Sequence, residues 1–156
     1  MEGAIGHAFS DYIGQDVRLV RTDHDGDGPD VHHLTLVSWA SVRDLARRAG
    51  HEGDLDARRF RINLELEGCE PYEEDTWDGK RVAVGNAVLR LHGQIPRCIV
   101  TTQGPETGVK DFDTLHEIAR YRPLIANPRG IPFGMYAEVE EPGTAAVGDA
   151  VIPLDP

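Results

Sequence analysis

The sequence is poor in cysteine, in long apolar runs and in positive charge, and each shortage excludes a class of protein. Cys69 and Cys98 are the only cysteines in 156 residues. Two thiols form neither a disulfide framework nor the cysteine set of an iron–sulfur cluster. No apolar run approaches the roughly 18 residues that a membrane span needs, and the N-terminus lacks the basic-then-apolar order of a signal peptide. We therefore expect a cytoplasmic protein with no membrane partner.

The charge balance excludes a second group of functions. The chain carries 27 acidic and 16 basic residues, a formal net charge of −11. This excess of negative charge argues against a nucleic-acid partner, although a local basic pocket for a phosphate is still compatible with it. The sequence also lacks a dinucleotide-binding glycine motif. Any redox reaction would therefore draw its electrons from a separate protein.

Short alternating segments separated by turn residues predict a β-rich domain. Strands are expected in "DVRLVRT" (16–22), "HLTLVS" (33–38), "RFRINLELEG" (59–68), "KRVAVGNAVLRLHG" (80–93, two strands around a Gly85-Asn86 turn), "RCIVTT" (97–102), "FGMYAEVEE" (133–141) and "AAVGDAVIPL" (145–154). With two helices, this spacing indicates a mainly β or α+β fold, a twisted sheet or partly closed barrel. We assign residues 1–15 to an N-terminal extension and residues 16–156 to a single domain.

Two helices carry start and stop signals. Ser41 with Asp44 fits a capping box, an apolar stripe follows, and Gly50 supplies the stop. A second helix is predicted over 114–122, because Thr114 begins another capping box and a proline follows the segment.

Two metal-binding patterns are weak. The segment "DHDGDG" (23–28) matches the opening of a calcium loop, but Leu34 stands at the twelfth position, where a bidentate glutamate is required. We interpret it as a solvated loop. The seven histidines are scattered, and no pair has the spacing that places two imidazoles on one helix face. The sequence alone gives no support to a zinc site made from them.

Strict alternation over 59–67 is more informative. With Phe60, Ile62, Leu64 and Leu66 directed to the core, Arg61 and Asn63 share the opposite face, where a guanidinium and an amide could bind a phosphate or a polar heterocycle. A solvated strand face explains the same pattern.

Cys98 follows Arg97, a cation that favours the reactive thiolate, yet a lone cysteine is commonly a small core residue.

Several motifs in fixed order resemble one family. They are "HLTLVSWASVRDLARRAG", "RFRINLELEGCEPYEEDTWDG", "VAVGNAVLRLHGQIPRCIVTTQGPETG", "DTLHEIARYR" and "FGMYAEVEEPGTAAVGDAV". Together they resemble the MOSC domain, named after the C-terminal part of molybdenum cofactor sulfurase. The nearer branch contains the mitochondrial amidoxime-reducing component and its bacterial relatives. The resemblance covers about residues 10–152 and implies a MOSC-type twisted β-barrel with a few peripheral helices.

The resemblance also implies a molybdenum–pyranopterin cofactor. In the amidoxime-reducing branch, the cysteine of an R-C-[IV]-x-T-T run ligates molybdenum, and Cys98 matches it. Arg97 matches a position that contacts the cofactor in the family. The segment "RFRIN" matches the family's "RFRPN", so the resemblance implies that Arg61 and Asn63 belong to the cofactor site. The sequence departs from the family in having Ile62 in place of proline and in lacking an extra cysteine just before Cys98. The β-rich domain that precedes this module in longer relatives has no counterpart in residues 1–15, so we expect that a partner chain or a dimer supplies its contacts, that the cofactor is bound more openly, or that cofactor binding has been lost.

Two functions follow from the resemblance. The first is a molybdenum-dependent oxidoreductase, with Cys98 as metal ligand, acting on a small N-oxygenated or oxo-transfer substrate with an external electron-transfer protein. The second is a sulfur carrier or sulfurtransferase, in which Cys98 holds a persulfide received from a pyridoxal-dependent cysteine desulfurase.

Overall fold

The computed structural model describes residues 4–18, 32, 34–123 and 130–154. By its internal contacts the chain divides into two units, residues 1–31 and 32–156. The first unit holds helix α1 (Ala4–Ile13), after which Val17 N donates to Ser10 Oγ at 3.0 Å. Residues 16–18 form no strand, so the strand predicted for 16–22 is wrong there. The remainder of that strand and the 23–28 loop lie outside the described residues.

The second unit is built on a curled six-stranded mixed sheet. Its strands are β1 (Leu34–Ser38), β2 (Leu64–Leu66), β3 (Arg81–Val84), β4 (Ala87–Arg97), β5 (Ile131–Glu141) and β6 (Val151–Pro153). They lie in the order β2-β1-β5-β4-β3-β6, with β1 and β2 parallel and the other neighbours antiparallel. This architecture confirms the predicted mainly β or α+β fold with peripheral helices.

Strands β4 and β5 form the centre of the sheet, and their alternation separates two faces. Leu89 and Leu91 on β4 and Met135 on β5 are buried in an apolar cluster, whereas His92 and Glu138 stand half-buried on the other face. A second apolar cluster combines the end of β1 with the helices and contains Val37, Val42, Leu45, Ala46, Leu55, Ala57, Phe60, Ile118 and Phe133.

The predicted helices are present with altered ends. Helix α2 (Trp39–Arg48) is capped by Ser38, whose Oγ accepts from Ser41 N at 3.3 Å, and not by Ser41. The Ser41 hydroxyl instead donates to buried Glu74 at 2.7 Å, so a tertiary contact replaces the predicted cap. Helix α3 (Thr114–Ala119) ends before the predicted residue 122. None of the described helices is long and apolar enough to cross a membrane.

Parts of two predicted strands, 59–68 and 97–102, are replaced by 3-10 helices. Ala57–Phe60 is a 3-10 helix that begins where Asp56 Oδ1 accepts from Arg58 N at 3.0 Å, and Arg61 then adopts a left-handed conformation with φ 52°. Ile99–Thr102 is also a 3-10 helix. The Thr101 and Thr102 hydroxyls donate to the carbonyls three residues earlier, at 3.0 and 2.7 Å, which competes with strand pairing.

Candidate functional site

The Cys98 thiol is exposed and unbridged at the point where strand β4 ends. Cys98 is the cap of the 3-10 helix Ile99–Thr102, and its carbonyl accepts hydrogen bonds from the main-chain nitrogen and the hydroxyl of Thr101. The next two side chains are also exposed, Ile99 to 67% and Val100 to 43%. The interpretation of Cys98 as a small core residue is therefore wrong, because the chain turns away from the sheet at this residue.

Cys69 has the opposite environment. Its side chain is half-buried and packs against the apolar cluster of β3, β4 and β5. Burial raises the pKa of its thiol, and the carboxylates of Glu73, Glu74 and Glu67 raise it further. Since the thiolate is the reactive form, this environment suppresses nucleophilic and metal-binding chemistry at Cys69.

The guanidinium of Arg97 lies in the interior and holds the main chain beside Cys98. Its Nε donates to the Phe133 carbonyl at 2.7 Å and its Nη1 to the Phe60 carbonyl at 2.8 Å, while the two phenyl rings stack at 4.7 Å. Burial lowers the pKa of Arg97 to about 10, which still leaves the side chain protonated at neutral pH. Its Nη2 is buried and has no hydrogen-bond partner among the described residues.

Gly134 allows this buried cation to fit against strand β5. The residue has φ 78°, and a Cβ placed on it would lie 2.7 Å from the Leu36 carbonyl oxygen and 3.1 Å from Arg97 Nη2. A side chain at this position would therefore be strained, would collide with the Leu36 carbonyl and would crowd the guanidinium.

Arg59 is a second buried arginine, and it joins the segment around Phe60 to the segment that follows Cys98. The alternation over 59–67 had predicted Arg59 on the solvated face. Its Nη1 donates to the Thr101 carbonyl at 3.3 Å and to Asp111 Oδ1 at 3.0 Å. Its side chain is 3% exposed, because the predicted strand is a 3-10 helix here and directs this residue inward. The acid that pairs with it, 52 residues away, could not be identified from sequence spacing.

Arg61 and Asn63 are both exposed, as the alternation predicted. The Asn63 side chain closes the start of β1: its Oδ1 accepts from the main-chain nitrogen and the hydroxyl of Thr35, each at 2.9 Å. The amide oxygen is therefore used by the scaffold, and the amide nitrogen is the group that remains to donate to a ligand.

One hydrogen bond relates the predicted site residues to each other. Arg61 follows Phe60, Cys98 follows Arg97, and the guanidinium of Arg97 bonds the Phe60 carbonyl. Together with the Arg59 contact to Thr101, this holds the segment 57–61 against the segment 97–102. The structure thus brings the neighbourhoods of Arg61 and Cys98 together, while the cofactor contact predicted for Arg97 stays a prediction.

A cluster that sequence reasoning missed lies on the solvent-facing side of β4 and β5. His32, His92 and Glu138 place ligand-type atoms within 4.8 Å of one another. No local motif predicts this cluster, because His92 and Glu138 follow His32 by 60 and 106 positions. The three residues meet only when the strands pair.

The fold and the site define a β-rich domain whose curled mixed sheet presents an exposed cysteine after a central strand. Comparison with known proteins identifies its family. Residues 23–152 match the MOSC domain, and the chain belongs to this family. Mitochondrial amidoxime reducing component 2 of Bos taurus is 36% identical over 129 residues, which is 79% of this chain and 37% of that protein. Mitochondrial amidoxime-reducing component 1 of Homo sapiens is 35% identical over 128 residues, 78% of this chain and 37% of that protein.

Solved structures agree with the fold. YiiM from Escherichia coli superimposes with a TM-score of 0.55 at 18% identity, covering 85% of this chain and 58% of that one. YiiM from Geobacillus stearothermophilus gives a TM-score of 0.53 at 17% identity, covering 78% and 54%. The chain spans little more than a third of the length of these amidoxime-reducing relatives.

Proposed function

We propose that the chain binds a molybdenum–pyranopterin cofactor through Cys98 and reduces a small N-oxygenated substrate. The observation that carries the proposal is the exposed thiol of Cys98, in a segment held against the neighbourhood of Arg61 and Asn63. An exposed thiol can supply a soft thiolate ligand to a metal, and homology to amidoxime-reducing components supports this use of Cys98.

The residues present fit such a group. Cys98 supplies the thiolate, exposed Arg61 supplies a guanidinium for the phosphate, and the Asn63 amide nitrogen supplies a hydrogen-bond donor whose orientation is set by Thr35. Arg97 keeps the strand end in place and adds positive charge behind the thiolate. When bound, the cofactor supplies a two-electron redox centre, for which an external electron-transfer protein delivers the electrons. A partner chain or a second copy would contribute the remaining contacts.

The test is metal and pterin content after expression with molybdate. We expect wild type and the control Cys69→Ser to contain molybdenum and to release oxidised pterin, and Cys98→Ser to contain no molybdenum. Arg61→Ala should lower the pterin content without unfolding the protein, as checked by circular dichroism. Wild-type protein free of both metal and pterin would refute cofactor binding.

A sulfur carrier is the second candidate function, favoured by the exposed apolar residues beside the thiol. Ile99 and Val100 would give a docking protein apolar contact next to Cys98. The Cys98 thiolate would attack the outer sulfur of a persulfide on a pyridoxal-dependent desulfurase, forming a new S–S bond on Cys98 and releasing the desulfurase thiolate.

Intact-mass measurement separates this candidate from the first. After incubation with a cysteine desulfurase and cysteine, we expect the mass of one additional sulfur, removable by dithiothreitol and absent in Cys98→Ser. An unchanged mass on a folded protein whose Cys98 reacts with iodoacetamide would contradict sulfur transfer.

A further inference from the structure

Two histidines and a glutamate meet on the sheet face that the fold leaves half-buried. His32 Nδ1 lies 2.9 Å from Glu138 Oε1, and His92 Nε2 lies 3.2 Å from Glu138 Oε2. The two imidazole rings are parallel, with centroids 4.8 Å apart and an interplanar angle of 2°. Both rings therefore place a nitrogen within 3.2 Å of the same carboxylate.

Three neighbouring chain segments supply the three side chains. Glu138 stands on β5, in the middle of the sheet, and His92 on β4 pairs with Tyr136, two residues before Glu138 on the same face. His32 precedes β1, whose Leu34 pairs with Ala137 on the other edge of β5. The main-chain hydrogen bonds of the sheet fix the positions of His92 and Glu138, so two of the three side chains stand on rigid elements, and His32 lies two residues before β1.

His32 and Glu138 are joined by a hydrogen bond, but one nitrogen of the cluster has no hydrogen-bond partner among the described residues. His92 Nε2 is shielded from solvent and, despite its distance from Glu138, has no hydrogen bond of acceptable geometry among the described residues. The His32 ring also contacts Tyr136 at a centroid distance of 5.1 Å, which covers one side of the group. A solvent-shielded ring nitrogen that lies 3.2 Å from a carboxylate oxygen without a hydrogen bond is an arrangement that a small cation bound to both atoms would complete.

The spacing is close to that of a metal site. The three ligand atoms lie within 4.8 Å of one another. Zinc bonds to nitrogen and oxygen are about 2.0–2.2 Å long, so ligand atoms around one ion stand about 3–4 Å apart. Side-chain rotation that closes the widest gap by about 1 Å is enough to reach this geometry.

We propose that His32, His92 and Glu138 bind a divalent first-row transition-metal ion of the zinc class. Two imidazoles with one carboxylate suit zinc, iron, nickel or copper, whereas magnesium and calcium prefer an all-oxygen set. Three protein ligands leave at least one coordination position for water or a small anion. The site shares no ligand with the proposed cofactor site and does not depend on it.

The experiment uses zinc chloride and the full chain carrying Cys98→Ser, which removes the exposed thiol as a competing ligand. Isothermal titration should show about one zinc bound per chain. Adding His92→Ala or Glu138→Gln should weaken this binding at least about tenfold, because each change removes one of only three ligands. His116→Ala, which removes an exposed histidine of α3, is the matched control and should leave the affinity unchanged.

Cobalt(II) provides a second readout that does not depend on affinity. Its visible bands should appear with the Cys98→Ser parent without a thiolate charge-transfer band and should disappear when His92→Ala is added, while circular dichroism shows that the variant is folded. Absence of zinc uptake by the parent, equal affinity in parent and His92→Ala, or a thiolate band in the cobalt spectrum would each overturn the assignment.

Discussion

The two candidate centres of this chain use the same central strands, β4 and β5, in opposite ways. At the Cys98 end, the cations Arg59 and Arg97 are buried and bind main-chain carbonyls, so they hold segments in place and leave the thiol exposed. At the histidine cluster, the sheet itself positions the side chains, which stay half-exposed and interact with each other. The first region is part of the folding core, whereas the second adds to a sheet that exists without it.

The largest expected difference concerns stability. Arg97→Ala should lower the free energy of unfolding by about 3–5 kcal/mol, since it leaves two buried carbonyls without donors and opens a cavity. His92→Ala should cost less than about 1 kcal/mol, as its contacts are partly exposed. Urea denaturation of both variants measures the contrast, with Arg61→Ala as an exposed-arginine control. Equal losses for the two variants would show that both regions belong to one core.

Glycine substitutions refine the same comparison. Gly134→Ala combines a positive φ with close approach to the Leu36 carbonyl and the Arg97 guanidinium, and should destabilise the protein by about 3 kcal/mol. Gly93→Ala, next to His92, also has a positive φ but meets nothing within 4 Å. It should therefore cost about 1 kcal/mol, the price of backbone strain alone. The test is the denaturation midpoint of each variant, compared at an unchanged dependence of the free energy of unfolding on denaturant concentration. Similar midpoints for the two variants would exclude the steric contribution at Gly134.

A smaller effect depends on pH and arises from a buried carboxylate. Burial raises the pKa of Glu74 above its ordinary 4.5, against the opposing hydrogen bonds from Ser41 and the main chain. The folded state therefore retains this proton to higher pH than the unfolded state, and the free energy of unfolding falls as pH rises from 4.5 to the folded-state pKa. Relative to Glu74→Gln, the wild type should lose stability over this range and then stay level. Parallel pH profiles in urea denaturation would contradict the assignment.

The smallest effect on stability is expected at Cys98. Cys98→Ser should change the free energy of unfolding by no more than about 0.5 kcal/mol, because the side chain is exposed. The thiols should nevertheless differ in reactivity, with Cys98 alkylated by iodoacetamide at least about tenfold faster than Cys69. Intact-mass time courses of wild type and Cys98→Ser give both rates. Faster labelling of Cys69 would reverse the assignment of the reactive cysteine.

Local patterns predicted much of this structure correctly. The alternation around Gly85-Asn86 correctly predicted β3 and β4, and the strand predicted for "FGMYAEVEE" is part of β5. The exposure of Arg61 and Asn63 was also predicted correctly, although the strand that implied it exists only from Leu64 to Leu66. Arg59 was misplaced because a 3-10 helix changes which residues share a face, and a period of two contains no information about that change.

The sequence by itself determined the family and the β-rich class, since these depend on contiguous residues and their spacing, and the family resemblance predicted Cys98 as the reactive cysteine. Only the tertiary structure decided that Arg97 supports the main chain from inside, that Asn63 uses its amide oxygen on Thr35, and that His32 meets His92 and Glu138. The physical reason is sheet pairing: hydrogen bonds between strands bring together side chains that are far apart in the chain, and no local periodicity encodes their partners.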